Sequence, residues 1–404
     1  AGVGYATSVV AARLLGPAGF ENYAVAVASL ALLSTIAEAG TGKYALRVVP
    51  AYMVRSRWGL VLGYWRFSIR CCTVVSFCAA LIVVVWEGIT AGSFLAHPLG
   101  VGVLFLPAIA FCGVAIDFVM ANRAALVGAS IARLVVPATT LLLLLVTAAQ
   151  LTVYGASWAL VCYGLGSVVG SVFAAIALRR IVPSEVNNSD PQLRWQWVGQ
   201  CLAFGGHAFL ATWMFRIGIL VMELLPVPET EVAYFAAAME TACLILLVSK
   251  STDKLFQPEM AVVIGEEDLN YGMRLRSKRL LTVGASCLAF MLVILLFGDR
   301  VLALYGPSFT SGYAALCFAA TGTSLATLFS LSPDYLKFIG RTTFVLVITI
   351  SAALALALLT AVLGYQFGAT GAGAAFCVVM VGMMMTFMTT ASRDFYRLGE
   401  PKGS

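Results

Sequence analysis

Charged side chains are scarce in this sequence: Asp, Glu, Lys and Arg make up 11% of its 404 residues, against about 25% in a soluble domain. Hydrophobic residues make up 61%, and the mean hydropathy is +0.95. A chain with so few polar groups cannot cover its own surface in water. Its apolar residues also form continuous runs, as at 345–359, rather than the alternating pattern of a membrane β-barrel. The sequence therefore predicts an all-α membrane protein.

Motifs for nucleotide hydrolysis, acyl transfer and metal catalysis are absent: there is no GxxxxGK[ST], GxSxG, HExxH or CxxC. The nearest likeness, GTGKY at 40–44, has Tyr44 where a phosphate loop needs Ser or Thr, and it ends an apolar helix. The 10 cysteines lie in or beside apolar runs, and His97 and His207 are the only histidines. We therefore expect no enzyme activity, no metal, no cofactor and no disulfide framework.

A signal peptide is not expected, because the first apolar run, 1–15, lacks an initiator Met and a basic N-terminal region. We interpret this run as a first transmembrane helix whose beginning is truncated. At about 20 residues per helical span, the chain is predicted to hold about 12 transmembrane helices with short loops. The predicted spans are 1–16, 22–45, 61–86, 100–121, 128–148, 153–178, 198–222, 232–254, 280–298, 312–331, 342–363 and 368–391.

One polar stretch, RRIVPSEVNNSDPQLRW at 179–195, divides the chain, and landmarks before it recur after it. The offset stays between 209 and 213 residues for Tyr23 and Tyr234, Arg70 and Arg279, Gly128 and Gly340, Gly155 and Gly368, and Arg180 and Arg393. Such a near-constant offset predicts two pseudo-symmetric six-helix lobes. We assign 1–180 to the N-terminal lobe, 181–197 to a cytoplasmic linker, 198–392 to the C-terminal lobe and 393–404 to a cytoplasmic tail.

The basic residues are distributed unevenly between the two sides of the predicted membrane. Of the 25 Lys and Arg, 21 lie in the loops and ends of one side. The loops of the opposite side hold Arg300, and three more lie within spans: Arg13, Arg133 and Arg216. The positive-inside rule places the basic side, with the linker and the C-terminus, in the cytoplasm of a multi-pass protein of the cytoplasmic (inner) membrane. The net charge of +6 is thus a topology signal. Membrane lipids are expected partners, and nucleic acid is not.

Ionisable residues within predicted spans need a physical reason, because each costs about 2.5–3.5 kcal/mol at mid-bilayer. Arg216 and Glu240 lie at similar depths on consecutive antiparallel spans. Our hypothesis is that they face each other in a cavity, and a buried structural ion pair is the alternative. His207 follows two glycines near mid-membrane and is a third candidate.

Three further charged residues lie in the first half of the chain. Glu38 cannot reach water as an arginine can, and it precedes Gly-Thr-Gly at 40–42, where helix packing can loosen. Asp117 is a candidate for binding a coupling ion together with Glu38, with a structural or boundary role as the alternative. Arg13 lies roughly 6 Å from the outer membrane boundary, so it can either extend to the interface or contact a substrate.

RLLGPAGFENYA at 13–24 resembles the first hairpin of the polysaccharide-transport flippases, the Wzx-like members of the multidrug/oligosaccharidyl-lipid/polysaccharide (MOP) exporter superfamily. Three further pieces follow in the family's order: FQPE at 256–259, LFGDRVLALYG at 296–306 and GATGA at 368–372. The likeness covers essentially the whole chain. Two positions depart from the family pattern: Glu21 stands where Gly often follows the Phe, and Phe215 stands where Asp often precedes Arg or Lys.

The resemblance implies a two-lobed helical bundle like that of MATE and MurJ proteins, with a central cleft that opens alternately to each side. The implied cargo is a polyprenyl-pyrophosphate-linked oligosaccharide, a precursor in polysaccharide biosynthesis for the cell envelope, and glycan-assembly enzymes are implied partners. The first, second and seventh spans line the cleft in this family and here carry Arg13, Arg47 and Arg216. Arginine binds phosphate groups bidentately, so we expect these residues, with His207 and Glu240, to bind substrate.

Three other function classes remain open. A cation-coupled drug or metabolite antiporter of the same fold would use Glu38 and Asp117 for coupling, although the cationic spans do not suit cationic drugs. A membrane enzyme that builds glycans is opposed by the short outer loops, and a membrane scaffold without transport activity is the last alternative.

Overall fold

The structure, a computed structural model, describes residues 2–90, 97–149, 155–187, 189–253, 256 and 269–397. Tyr154, Lys254, the motif residues 257–259 and the tail from 398 lie outside the described residues. All the regular elements described are helices. The α-helices are α1 Gly2–Ala37, α2 Thr41–Val54, α3 Trp58–Thr90, α4 Pro98–Val103, α5 Leu106–Ala121, α6 Ala125–Ser130, α7 Val136–Ala148, α8 Ala156–Ile181, α9 Ser184–Asn187, α10 Gln196–Glu223, α11 Glu229–Ala242, α12 Leu269–Leu302, α13 Tyr313–Leu328, α14 Leu331–Phe338 and α15 Thr342–Arg397. A π-helical turn, Ile131–Val135, joins α6 to α7, and 3-10 turns occur at Cys243–Ile245 and Pro307–Gly312. The chain is helical again over 246–253, so α11 continues to Asp253.

Among the described residues, 8 helices are long and apolar enough to cross a membrane, or 9 if the bent pair Pro307–Leu328 and Leu331–Lys337 counts as one span. Two of the long helices, α1 with 36 residues and α15 with 56, are interrupted within their length. Each contains a break at a predicted boundary between spans. The chain is therefore an all-α, multi-pass membrane protein, as predicted.

The breaks occur where glycine adopts a backbone conformation that other residues avoid. Gly16 has φ 69° and ψ 179° directly before Pro17, which has no N–H to continue the helix. Gly368 has φ 57° and ψ −138°. There the Glu231 carboxylate accepts a hydrogen bond from the Ala369 N–H at 2.7 Å, which satisfies a donor that the break leaves free.

Large apolar side chains remain exposed along the outer helices, as a lipid-facing surface requires. In α3 these include Phe77, Leu81 and Ile82, and in α12 they include Leu288 and Leu296. The most apolar windows of these two helices are each 17% buried, whereas those of Gly2–Ala37 and Glu229–Asp253 are each 61% buried. The former helices thus lie at the edges of their units, and the latter lie at the centres.

The chain divides into two units, Ala1–Arg216 and Ile217–Ser404. The boundary falls within α10, so the predicted linker belongs to the first unit. The predicted assignment of two pseudo-symmetric lobes stays a prediction. The linker packs closely on α3. The Gln192 N–H donates to the Gly59 carbonyl at 3.0 Å. A Cβ on Gly63 would collide with the Gln192 carbonyl, so the close approach requires glycine there.

Aromatic side chains form much of the core of the first unit. Tyr64 is fully buried on α3, with Trp197 of α10 edge-on to it at 5.1 Å and Phe118 of α5 stacked at 5.8 Å. The Tyr64 hydroxyl donates to the Thr41 carbonyl at 2.6 Å. This bond fixes the start of α2, and with it Lys43, against the core.

Candidate functional site

The chain turns sharply between α1 and α2 at Ala39 and Gly40, whose φ angles are 48° and 69°. The turn lies against α10, where a Cβ on Gly40 would collide with the Cys201 carbonyl and the Gly205 nitrogen. The close backbone approach therefore requires glycine at position 40. This contact brings the start of α2 next to α10, and residues of these two helices form the candidate site.

Replacing Gly40 by Ala is expected to lower the free energy of unfolding by more than the roughly 1–2 kcal/mol that a left-handed residue costs by itself. The excess comes from the collision with α10. Gly340→Ala is the matched control, because Gly340 has φ 84° and open space around its Cα. Unfolding by SDS in mild detergent would compare them, and equal losses in the two variants would contradict the close contact.

Two carboxylates and one lysine meet beside this turn. Lys43 on α2 donates to Asp117 Oδ2 on α5 at 2.7 Å, and Glu38 lies within electrostatic range of both groups. Glycines make room for the carboxylates: a Cβ on Gly42 would meet Asp117 Oδ2, and one on Gly113 would collide with Glu38 Oε1. The structure thus brings together the two predicted coupling-ion residues and adds a cation between them.

The burial of this cluster is uneven. The Asp117 side chain is 7% exposed, whereas the Lys43 side chain is 41% exposed. The carboxylate therefore stays inside the helical unit, while the lysine can move toward the open side without unfolding anything. No group of three or more His, Cys, Asp or Glu that could hold a metal ion occurs in the described part of the chain.

The open side of Lys43 is a hollow of about 450 Å³ that α2 and α10 line together. Its lining residues are Lys43, Leu46, Arg47, Phe204, His207 and Ala208. Arg47 and His207 are exposed. Two predicted substrate residues, Arg47 and His207, therefore share one hollow with a lysine that the sequence suggested only as a topology signal.

The other predicted substrate residues lie elsewhere. Arg13 is exposed on α1, three residues before the break at Gly16, and is not among the residues that line the hollow. Arg216 and Glu240 are both half-buried and belong to different units. Their proposed pairing therefore stays a hypothesis.

Sequence reasoning missed a buried arginine in the second unit. Arg279 is 4% exposed and donates to Asp253 Oδ1 at 2.7 Å, to Ser330 Oγ at 2.6 Å and to the Leu328 carbonyl at 2.7 Å. The positive-inside pattern places this residue among the cytoplasmic loop cations. The sequence gives no clear signal for it, because Lys250 and Lys254 lie closer to Asp253 along the chain than Arg279 does.

No protein-family model matches the sequence. No curated protein matches it either. Its structure, however, matches solved transporters over nearly the full length of both chains.

An inward-facing multidrug resistance MATE family transporter of the MOP superfamily aligns with a TM-score of 0.80 at 14% identity, covering 99% of this chain and 96% of that one. The lipid II flippase MurJ, in an inward closed conformation, aligns with a TM-score of 0.73 at 12% identity, covering 98% and 87%. A MATE crystal structure in complex with MaL6 aligns with a TM-score of 0.64 at 14% identity, covering 99% and 94%. The chain therefore has the fold of the MOP-superfamily transporters.

Proposed function

We propose that this protein is a flippase that moves a polyprenyl-pyrophosphate-linked oligosaccharide across the cytoplasmic membrane by alternating access. The observation that carries the proposal is the hollow with Lys43, Arg47 and His207 on its walls. The neighbours of the same fold include a lipid II flippase, which supports a lipid-linked cargo. The resemblance of the sequence to polysaccharide-transport flippases supports the same cargo class.

The chemistry of the hollow suits the charged part of such a cargo. A pyrophosphate presents several anionic oxygens, and a guanidinium can bind two of them at once. The apolar side chains of Leu46 and Phe204 lie beside the cations. The polyprenyl tail can stay in the bilayer while only the polar head crosses, so the protein needs to supply a polar path for the head alone.

A second candidate function is a cation-coupled antiporter, and the cluster of Glu38, Lys43 and Asp117 favours it. Buried carboxylates within membrane spans commonly mark proton or ion pathways. The two functions are compatible in part, because the cluster could couple cargo movement to a cation gradient while the hollow binds the cargo.

Replacing Arg47 by Gln is expected to slow flipping of a polyprenyl-pyrophosphate that carries a fluorescent disaccharide by about 10- to 100-fold, the loss of one hydrogen bond to a charged group. The assay uses liposomes, in which a membrane-impermeant quencher reports the fraction of label that has crossed. Arg55→Gln, on an exposed arginine just after the same helix and outside the hollow, is the matched control.

The same liposomes distinguish the two candidates. Sodium- or proton-driven efflux of ethidium, without flipping of the labelled lipid, would replace the flippase proposal by the antiporter. Equal flipping by the Arg47→Gln and Arg55→Gln variants would remove the hollow from the proposed cargo site.

We also propose a membrane location and partners for this protein. The location in the cytoplasmic membrane, with the linker and the C-terminus in the cytoplasm, rests on the distribution of Lys and Arg. Glycan-assembly enzymes that supply and consume the lipid-linked sugar are the partners that this function would require.

A further inference from the structure

A cavity of about 270 Å³ lies inside the first unit, at the end that we place in the cytoplasmic leaflet. It is lined by the start of α3, the end of α5, the end of α8 and the chain that follows α8. The rings of Trp65 and Phe118 form one wall, with centroids 4.3 Å apart. Val182 and Val186, at the start of the linker, also line the cavity.

One buried polar atom beside this cavity has no hydrogen-bond partner within the described part of the chain. Asn122 is 8% exposed, and its Nδ2 donates to the Phe118 carbonyl at 2.8 Å. Its Oδ1 is buried and accepts no hydrogen bond from any described residue. Leaving such an acceptor unsatisfied is costly, so the position suits a water or a ligand that brings a hydroxyl or N–H donor.

The cavity also has a cation in its lining. Arg179 lies in the last turn of α8, is exposed, and lines the same space as Asn122. A ligand that satisfies both groups therefore combines an anionic oxygen with a hydrogen-bond donor. The apolar walls suit an attached hydrocarbon.

The depth of the cavity matches the headgroup region of a bilayer. Trp65 is four residues into the predicted span 61–86, or about 6 Å from its cytoplasmic boundary at the helical rise. Tryptophan at this depth is typical of the membrane interface. A phospholipid headgroup can therefore enter with its phosphate at the rim and its acyl chains in the bilayer.

We propose that this cavity binds an anionic phospholipid of the cytoplasmic leaflet, whose phosphate contacts Arg179 and whose headgroup hydroxyl donates to Asn122 Oδ1. The bound lipid lies against Val182 and Val186 and so stabilises the linker on the first unit. This binding is separate from the proposed transport function, since none of these residues lines the hollow with Arg47.

The test measures thermal unfolding of the full chain in detergent micelles at increasing fractions of dioleoylphosphatidylglycerol. We expect a saturable rise in the midpoint temperature. Arg179→Gln should raise the half-saturating lipid fraction about tenfold, the loss of one hydrogen bond to a charged group. Arg180→Gln is the matched control, because Arg180 is exposed beside it but does not line the cavity.

A comparison of three lipids shows which headgroup features the cavity recognises. Dioleoylphosphatidylmethanol has the charge but no headgroup hydroxyl, and dioleoylphosphatidylcholine has neither a net charge nor a donor; both should stabilise less than phosphatidylglycerol. Equal stabilisation by all three lipids, or equal effects of the two arginine variants, would overturn the proposal. Saturable stabilisation by glycerol 3-phosphate alone would assign the site to a soluble phosphate ester and overturn the lipid assignment.

Discussion

Replacing Arg279 by Met lowers the free energy of unfolding by about 3–5 kcal/mol, the cost expected when one partner of a buried ion pair is removed. The side chains of Arg279 and Asp253 are 5% and 16% exposed, so water cannot replace the lost guanidinium. In the variant, the Asp253 carboxylate keeps the Ser330 hydroxyl, which donates to its Oδ2 at 2.7 Å. One neutral donor does not compensate a buried negative charge.

Arg279→Met also removes the hydrogen-bond donor at the C-terminal end of α13. Arg279 donates to the carbonyl of Leu328, the last residue of α13, at 2.7 Å. The chain bends by 41° between that helix and α14. A carbonyl at a helix C-terminus has no partner within the helix, so a cation there stabilises the end. The bend should therefore become less stable together with the ion pair.

Unfolding by SDS in mild detergent measures the loss, and Arg274→Met is the matched control because Arg274 is exposed on the same helix. The double variant Arg279→Met with Asp253→Leu should recover most of the stability, since it removes the carboxylate that the single variant leaves unpaired. Similar losses at positions 274 and 279 would show that the buried network contributes little.

Most of the helical architecture could be predicted from the sequence. Apolar runs fix where helices form, because the backbone in lipid must satisfy its hydrogen bonds internally. The turns between the first two and the last two predicted spans follow from Gly16 with Pro17 and from Gly368. These residues permit backbone angles that interrupt a helix, and the sequence shows them directly.

The sequence could not show which basic residues are buried. Lys43 and Arg279 both stand near the ends of predicted spans, where a lysine or arginine usually reaches water. Only the packing of several helices reveals that each meets a carboxylate. The predicted repeat relates these two positions: Lys43 and Asp253 are separated by 210 residues, within the range of the other repeat offsets. Each belongs to an ion pair in its own unit, with opposite charge.

Replacing Asp117 by Asn is expected to reduce flipping of the labelled lipid by about 10- to 100-fold and to remove any dependence of transport on a cation gradient. The expected magnitude is that of one interaction with a charged group. The physical reason is that Lys43 both pairs with Asp117 and lines the hollow. An anionic cargo group and the Asp117 carboxylate therefore compete for the same lysine.

This competition would couple binding of the cargo in the hollow to binding of a cation by the two carboxylates. When Lys43 turns toward an anion in the hollow, Asp117 and Glu38 lose their counter-charge and become able to bind a proton or a metal cation. Because the Lys43 side chain is 41% exposed, its movement needs no unfolding. For the same reason Asp117→Asn should cost less stability than Arg279→Met, so a large transport defect would not reflect a loss of folded protein.

A double-mutant cycle separates coupling from a structural ion pair. If the pair serves only to hold α2 against α5, then Lys43→Met combined with Asp117→Asn should restore stability relative to the single variants, and the flipping that remains after the loss of Lys43 from the hollow should still respond to a cation gradient. If Asp117 binds the coupling cation, the double variant should regain stability but still show no response to a sodium or proton gradient. Liposome transport with and without each gradient, compared with the SDS unfolding free energy of the same variants, measures both quantities. A clear response to the gradient in the double variant, at whatever flipping rate the loss of Lys43 leaves, would show that Asp117 is a structural residue and would leave the coupling role to another group.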